Sequence, residues 1–172
     1  MFTGGMSAAC QKQTLITLRY VNLWGAGQIM FGIFSENAPI EEWDEMVLPS
    51  SIVINEFKEN FNIPLAYWNI KDYRNSWKRS IEEGLQRGNH AVLAVSMYEP
   101  GHTNFVFTWV LYLEGKNVLI QNKMIFLDEH LGFNPENIND YVEKRETHNE
   151  DGRKISEWST DLNSIINFYH NL

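Results

Sequence analysis

Cysteine is almost missing from this sequence: Cys10 is the single one in 172 residues. That excludes intramolecular disulfides and a thiolate-held metal cluster, and it fits a reducing compartment. No apolar run approaches the roughly 20 residues that span a bilayer. Small residues do precede Cys10 (Ser7-Ala8-Ala9), but without the basic and apolar stretches of an export leader. Residues 1–13 therefore read as a flexible tail, with Met6 as an alternative start, and residues 14–172 as one cytoplasmic domain. Basic residues are scarce too, 14 against 22 acidic ones, for a net charge of −8. This balance argues against non-specific nucleic-acid binding, whose affinity comes from Lys and Arg neutralising phosphates.

Catalytic signatures are equally short. There is no phosphate-cradling glycine loop, G-x-S-x-G elbow, H-E-x-x-H pair or C-x-x-C motif. Gly25-Ala26-Gly27 lacks the third glycine and the following helix of a dinucleotide site, so it reads as a hairpin turn. His90, His102, His130, His148 and His170 are never three or four residues apart, so neighbours in sequence cannot make a helical metal pair. Each reads as a surface or loop residue. His102, in Glu99-Pro100-Gly101-His102-Thr103-Asn104, is the best placed for chemistry, at a hairpin tip. A Cys10–His dyad would put its nucleophile in the tail, where positioning is poor. The expectation is no catalytic residue, no metal and no cofactor.

What is present suits a folded domain: apolar residues make up 44% and charged residues 21%. Ile16, Leu18 and Tyr20 alternate with polar residues, and Ile29, Phe31 and Ile33 repeat the pattern after Trp24-Gly25-Ala26-Gly27, predicting two strands. Residues 36–44, acidic and interrupted by Pro39, read as a loop. Residues 51–61 suit a strand at Ile52-Val53-Ile54, and a helix by Ser50, Phe57 and Phe61. Residues 69–87 predict a helix, capped by Asn69 or Asp72, with Tyr73, Trp77, Ile81 and Leu85 on one face. Gly84 marks a close contact and Gly88 the stop. Residues 91–97, 105–113 and 118–127 predict three strands, the middle one apolar on both faces as a central strand is. Their short loops, such as Glu114-Gly115-Lys116-Asn117, favour antiparallel pairing. Pro135 opens one further helix, with Ile138, Tyr141 and Val142 as its stripe, and another begins near Thr160. The fold class is α+β: a mainly antiparallel meander of hairpins with packed helices.

The acids are segregated. Residues 36–59 and residues 128–172 each carry −6, and such fields keep a chain soluble or steer a basic partner. Trp43 sits inside the first cluster, in Glu41-Glu42-Trp43-Asp44-Glu45, either as a binding anchor or as a core anchor for its loop.

Three fragments together resemble immunity proteins of bacterial contact-dependent growth inhibition, the CdiI group. They are Trp68-Asn69-Ile70-Lys71-Asp72-Tyr73-Arg74-Asn75-Ser76-Trp77, Trp109-Val110-Leu111-Tyr112-Leu113-Glu114-Gly115 and Ile155-Ser156-Glu157-Trp158. The resemblance spans residues 68–168. It implies a cytoplasmic antidote that binds the C-terminal toxin domain of a cognate CdiA-type effector, with no direct contact to nucleic acid or membrane. Many such toxins are nucleases, which are basic because they grip phosphates, so an acidic inhibitor is complementary to them. Trp68, Tyr73, Trp77, Trp109, Tyr112 and Trp158 are then framework. The toxin-binding candidates are Glu41, Glu42, Trp43, Asp44 and Glu45, followed by Asp128, Glu129, Glu150 and Asp151. Two alternatives stay open: a sheet protein stacking single-stranded nucleic acid on its aromatics, and a small hydrolase using carboxylates or His102.

Overall fold

A computed structural model of the chain describes residues 30–172. The tail at 1–13, Cys10, the expected strand from Ile16 to Tyr20 and the reversal at Trp24-Gly25-Ala26-Gly27 lie outside the described residues. The first sheet is built on β3 (Glu45–Ile54), with β1 (Phe31–Ser35) and β2 (Ile40–Glu42) along one edge and β4 (Phe57–Pro64) along the other. β1 and β2 act as one interrupted strand. Ser35 faces Ser50 and Ile40 faces Val47, so residues 36–39 bulge opposite Leu48 and Pro49. Pro49 has no N–H for the ladder, while its carbonyl accepts from the Glu36 N–H at 2.8 Å. The expected loop at 36–44 thus contains a strand and a hairpin turn. The two-way reading of residues 51–61 resolves as β-hairpin, turning at Asn55-Glu56 with Asn55 at a φ of 54°. Asparagine tolerates that left-handed geometry.

The second sheet is an antiparallel meander in the order β5 (His90–Ala94), β6 (Phe105–Glu114), β7 (Asn117–Phe126) and β8 (Trp158–Asp161). The turn between β6 and β7 uses Gly115 at a φ of 66°. β8, in a stretch whose sequence pattern marks no strand, adds four residues to the edge of β7, where Trp158 packs against Phe57 at 4.3 Å between ring centroids and so joins the two sheets. Residues 95–97, expected to continue β5, lie beyond it.

Helix α1 (Ile70–Arg87) begins at a capping box. Asn69 Oδ1 accepts from the Lys71 and Asp72 amides at 2.9 and 3.2 Å, and Asp72 Oδ2 accepts from the Asn69 amide at 3.0 Å. It ends at Gly88, with a φ of 65°. Its buried stripe is Tyr73, Ser76, Trp77, Ser80, Ile81 and Gly84, and Leu85 is exposed instead. A strict four-residue repeat drifts around a helix of 3.6 residues per turn, so by Leu85 the side chain has left the face begun at Tyr73. At Gly84 a Cβ would overlap the His90 carbonyl, which is the close contact expected there.

Asn139 then closes the free edge of β5. Its Oδ1 accepts from the Val92 amide at 2.9 Å and from Ser80 Oγ at 2.6 Å. It lies in the segment Pro135–Tyr141, which is 3₁₀ and kinked at Asn137, where a regular helix was expected. Helix α2 (Leu162–His170) starts two residues past Thr160, capped by Asp161, and inserts Phe168 between Phe31 and Trp77. Tyr73, Trp77, Trp109 and Tyr112 are buried, and Trp68 and Trp158 pack against the same core. These six aromatics are framework.

Candidate functional site

The β2–β3 hairpin gathers Glu41, Glu42, Trp43, Asp44 and Glu45 at one exposed tip. Its two-residue turn is Trp43-Asp44, at φ values of 53° and 62°. Two successive positive φ values are the geometry of a type I′ turn, which favours Asn-Gly or Gly-Gly. A bulky aromatic in the first position is strained. Trp43 is 92% exposed, so it anchors nothing in the core. Glu42 and Glu45 face one another across the hairpin, and like charges directly opposite are destabilising. Asn62 Nδ2 donates to Glu42, and Tyr98 Oη donates to Glu45 Oε2 at 2.9 Å. Partial burial first, and then this bond to a carboxylate, raise the pKa of Tyr98 above its ordinary value.

The Tyr98 bond ties the hairpin to one end of the second sheet. Asp128 and Glu129 stand at that same end, on the 3₁₀ turn Leu127–Glu129 just after β7, both exposed. The structure therefore brings these two candidates to the hairpin's end of the molecule.

Glu150 and Asp151 do not join them. They occupy a turn within residues 143–157, the segment joined to the opposite face of the second sheet through Gln121, whose Nε2 donates to the Glu146 carbonyl at 2.7 Å. Arg145 pins this segment by gripping both oxygens of Glu157, at 2.7 and 2.8 Å. Arg145 is the main cause that holds the Glu157 carboxyl below its ordinary 4.5, with Gln121 adding to it. Since the folded value lies below the unfolded one, the stability from this pair is complete above the unfolded pKa and is lost as pH falls through the folded one. Glu157→Gln should therefore flatten the acid limb of a melting-temperature profile taken between about pH 3 and pH 7. An acid limb as steep as that of the wild type would show that other carboxylates govern it.

His102, the histidine suggested for hydrolysis, lines neither of two concavities formed by the described residues. It is exposed and pairs with Glu99 at 2.9 Å. The concavities, of about 630 and 540 Å³, are lined respectively by residues such as His90, Tyr112 and Arg145 and by Asn55, Phe57 and Trp158. His90, expected at the surface, is a buried strand residue whose Nε2 lies 2.8 Å from the Asn139 carbonyl. Among the described residues no three His, Cys, Asp or Glu side chains form a cluster able to hold a metal ion, and no helix is long and apolar enough to cross a membrane.

Comparison with known proteins agrees with the framework reading. The family model described as the CdiI N-terminal domain matches residues 63–168. The chain is 59% identical over 143 residues to the Immunity protein CdiI of Enterobacter cloacae, covering 83% of this chain and 99% of that protein. A solved CdiA-CT/CdiI toxin and immunity complex from Enterobacter cloacae contains a chain that superposes with a TM-score of 0.80 at 59% identity, covering 83% of this chain and 97% of that one.

Proposed function

The chain belongs to the CdiI family of immunity proteins, and from that premise we propose that it binds and neutralises the C-terminal toxin domain of a cognate contact-dependent growth inhibition effector. It does so in the cytoplasm by stoichiometric association, turning over no substrate and using no cofactor. The toxin is a basic nuclease, and the β2–β3 hairpin meets it.

One observation carries the placement. The hairpin tip combines a left-handed aromatic, a cross-strand pair of like charges and a fully solvated tryptophan. None of these helps the isolated fold, and local strain of this kind is kept where a site requires it. In a complex the last two become favourable, the carboxylates finding cations and the tryptophan a pocket, and they offset the first.

Co-expression with the toxin domain encoded beside this chain should restore growth, while toxins of unrelated sequence stay lethal. Equal protection against many unrelated toxins would count against specific binding. Neutralising Glu41, Glu42, Asp44 and Glu45 to their amides should slow association, because rim charges chiefly steer encounter. Raising salt should slow the wild type toward the same rate, since exposed charges are screened beyond about 8–10 Å. Stopped-flow association at two ionic strengths checks this, and salt-independent rates would move the interface away from the hairpin.

A further inference from the structure

β6 departs from the expectation of a strand buried on both faces. At its first turns Phe105 and Phe107 are 38% and 41% exposed, and directly opposite them on β7 stand Phe126 and Met124, 43% and 45% exposed. Side chains two apart on a strand share a face, so the cross-strand pairs Phe105–Phe126 and Phe107–Met124 make one contiguous apolar patch. The two phenylalanine rings of β6 meet edge to face at 5.1 Å. Farther along the same face Trp109 is buried under Phe57 and Trp158, so the patch begins where the cover from the first sheet ends. A half-solvated antiparallel sheet ordinarily turns polar residues outward. Here four large apolar side chains face water together.

The chain segments that lead into and out of the patch are acidic. Asp128 and Glu129 follow Phe126 within three residues, and Glu99 lies in the loop that enters β6. Lys123, the nearest cation in sequence, belongs to the other face, where its ammonium lies 5.7 Å from the centre of the Tyr112 ring. The patch is also linked to the hairpin: the Phe107 amide donates to Ser96 Oγ at 2.9 Å, and two residues on Tyr98 donates to Glu45. An apolar centre rich in aromatics and methionine inside a charged rim is the anatomy of a protein interface. A rim of carboxylates selects a partner that is basic around an apolar ridge, and it repels the phosphates that a base-stacking surface must attract.

We propose that the face formed by Phe105, Phe107, Met124 and Phe126 is the desolvated centre of the toxin contact, with the acids of the hairpin and of residues 128–129 as its rim. The assignment rests on the function proposed above and extends it from one hairpin to a continuous surface. The acids of the hairpin set the encounter rate, and the patch together with Trp43 sets the lifetime of the complex.

The test uses the full chain and the purified toxin domain of the neighbouring effector gene. Phe107→Thr combined with Met124→Thr should speed dissociation at least tenfold with little change in melting temperature, because both side chains are solvated in the free protein. Met124→Leu should bind as the wild type does. Should the double variant fail to fold, Met124→Lys supplies the same test, since a cation at the centre of a basic partner's footprint also shortens the complex's lifetime. Toxin binding that none of these variants alters overturns the patch and leaves the immunity reading standing. A wild-type protein that does not bind the toxin overturns both. Two further results would replace the assignment: a wild-type dimer in sedimentation that the double variant abolishes while toxin binding persists, or single-stranded RNA binding that depends on Phe107.

Discussion

Trp77→Ala is expected to cost about 3–5 kcal/mol of folding stability, the range for truncating a large buried aromatic. The side chain is 1% exposed, its Nε1 donates to the Ala94 carbonyl at 2.7 Å, and its ring packs between Tyr73 and Phe168. Truncation opens a cavity where α1, α2 and β5 meet and leaves a buried carbonyl unpaired. A domain of this size has only about 5–15 kcal/mol in hand. Soluble yield should fall and protection against toxin should fall with it, through loss of fold. Trp77→Phe separates the two contributions, keeping most of the packing while removing the N–H donor, for an expected loss of about 1–3 kcal/mol. Urea unfolding of both variants measures the ordering. A Trp77→Ala protein that unfolds like the wild type would mean that this residue does not hold the helix to the sheet.

The helix that carries Trp77 was legible because several local signals agree. Asn69 and Asp72 cap its start, Gly88 stops it, and Tyr73, Trp77 and Ile81 recur at helical spacing. The β6–β7 hairpin was legible for the same reason, with Gly115 in the turn between two apolar runs. β2 was not legible, because a three-residue strand with every side chain exposed has no hydrophobic alternation, and Trp43-Asp44 does not look like the turn that it makes. β8 is four residues long and is defined by its pairing with β7 rather than by its own pattern. The segment at Pro135 met the rules for a helix start, and its conformation is set instead by Asn139 reaching α1 and β5.

The candidate site divides along the same line. Acids around a tryptophan can be seen in sequence, and the hairpin does expose them. Phe105 and Phe107 cannot be told from Trp109 and Leu111 by sequence, since all four are apolar residues on one face of one strand. Only the point at which the first sheet stops covering β6 separates exposed from buried.

The hairpin tip offers a test in which stability and binding move in opposite directions. Replacing Trp43-Asp44 by Asn-Gly supplies the residues that a type I′ turn prefers. Both native residues sit at positive φ without being glycine, and such positions cost of order 1–3 kcal/mol when the residue is ill suited to them. The variant should therefore gain about 1–2 kcal/mol of folding stability. If Trp43 anchors the toxin, the same variant should lose about 2 kcal/mol or more of binding, roughly thirtyfold in Kd, mainly through faster dissociation. Asp44→Gly alone isolates the backbone: it relieves one strained position, keeps the tryptophan and removes one rim charge, so it should be more stable, slower to associate and unchanged in dissociation. Thermal melts and stopped-flow kinetics on the three proteins check this. A variant that is more stable and still binds with the wild-type dissociation rate would show that the turn is strained for some other reason. A variant that loses both stability and binding would show that Trp43 supports the hairpin itself. Only the crossed result, greater stability with a shorter-lived complex, marks the strain at residues 43 and 44 as a cost carried by the free protein for the sake of its partner.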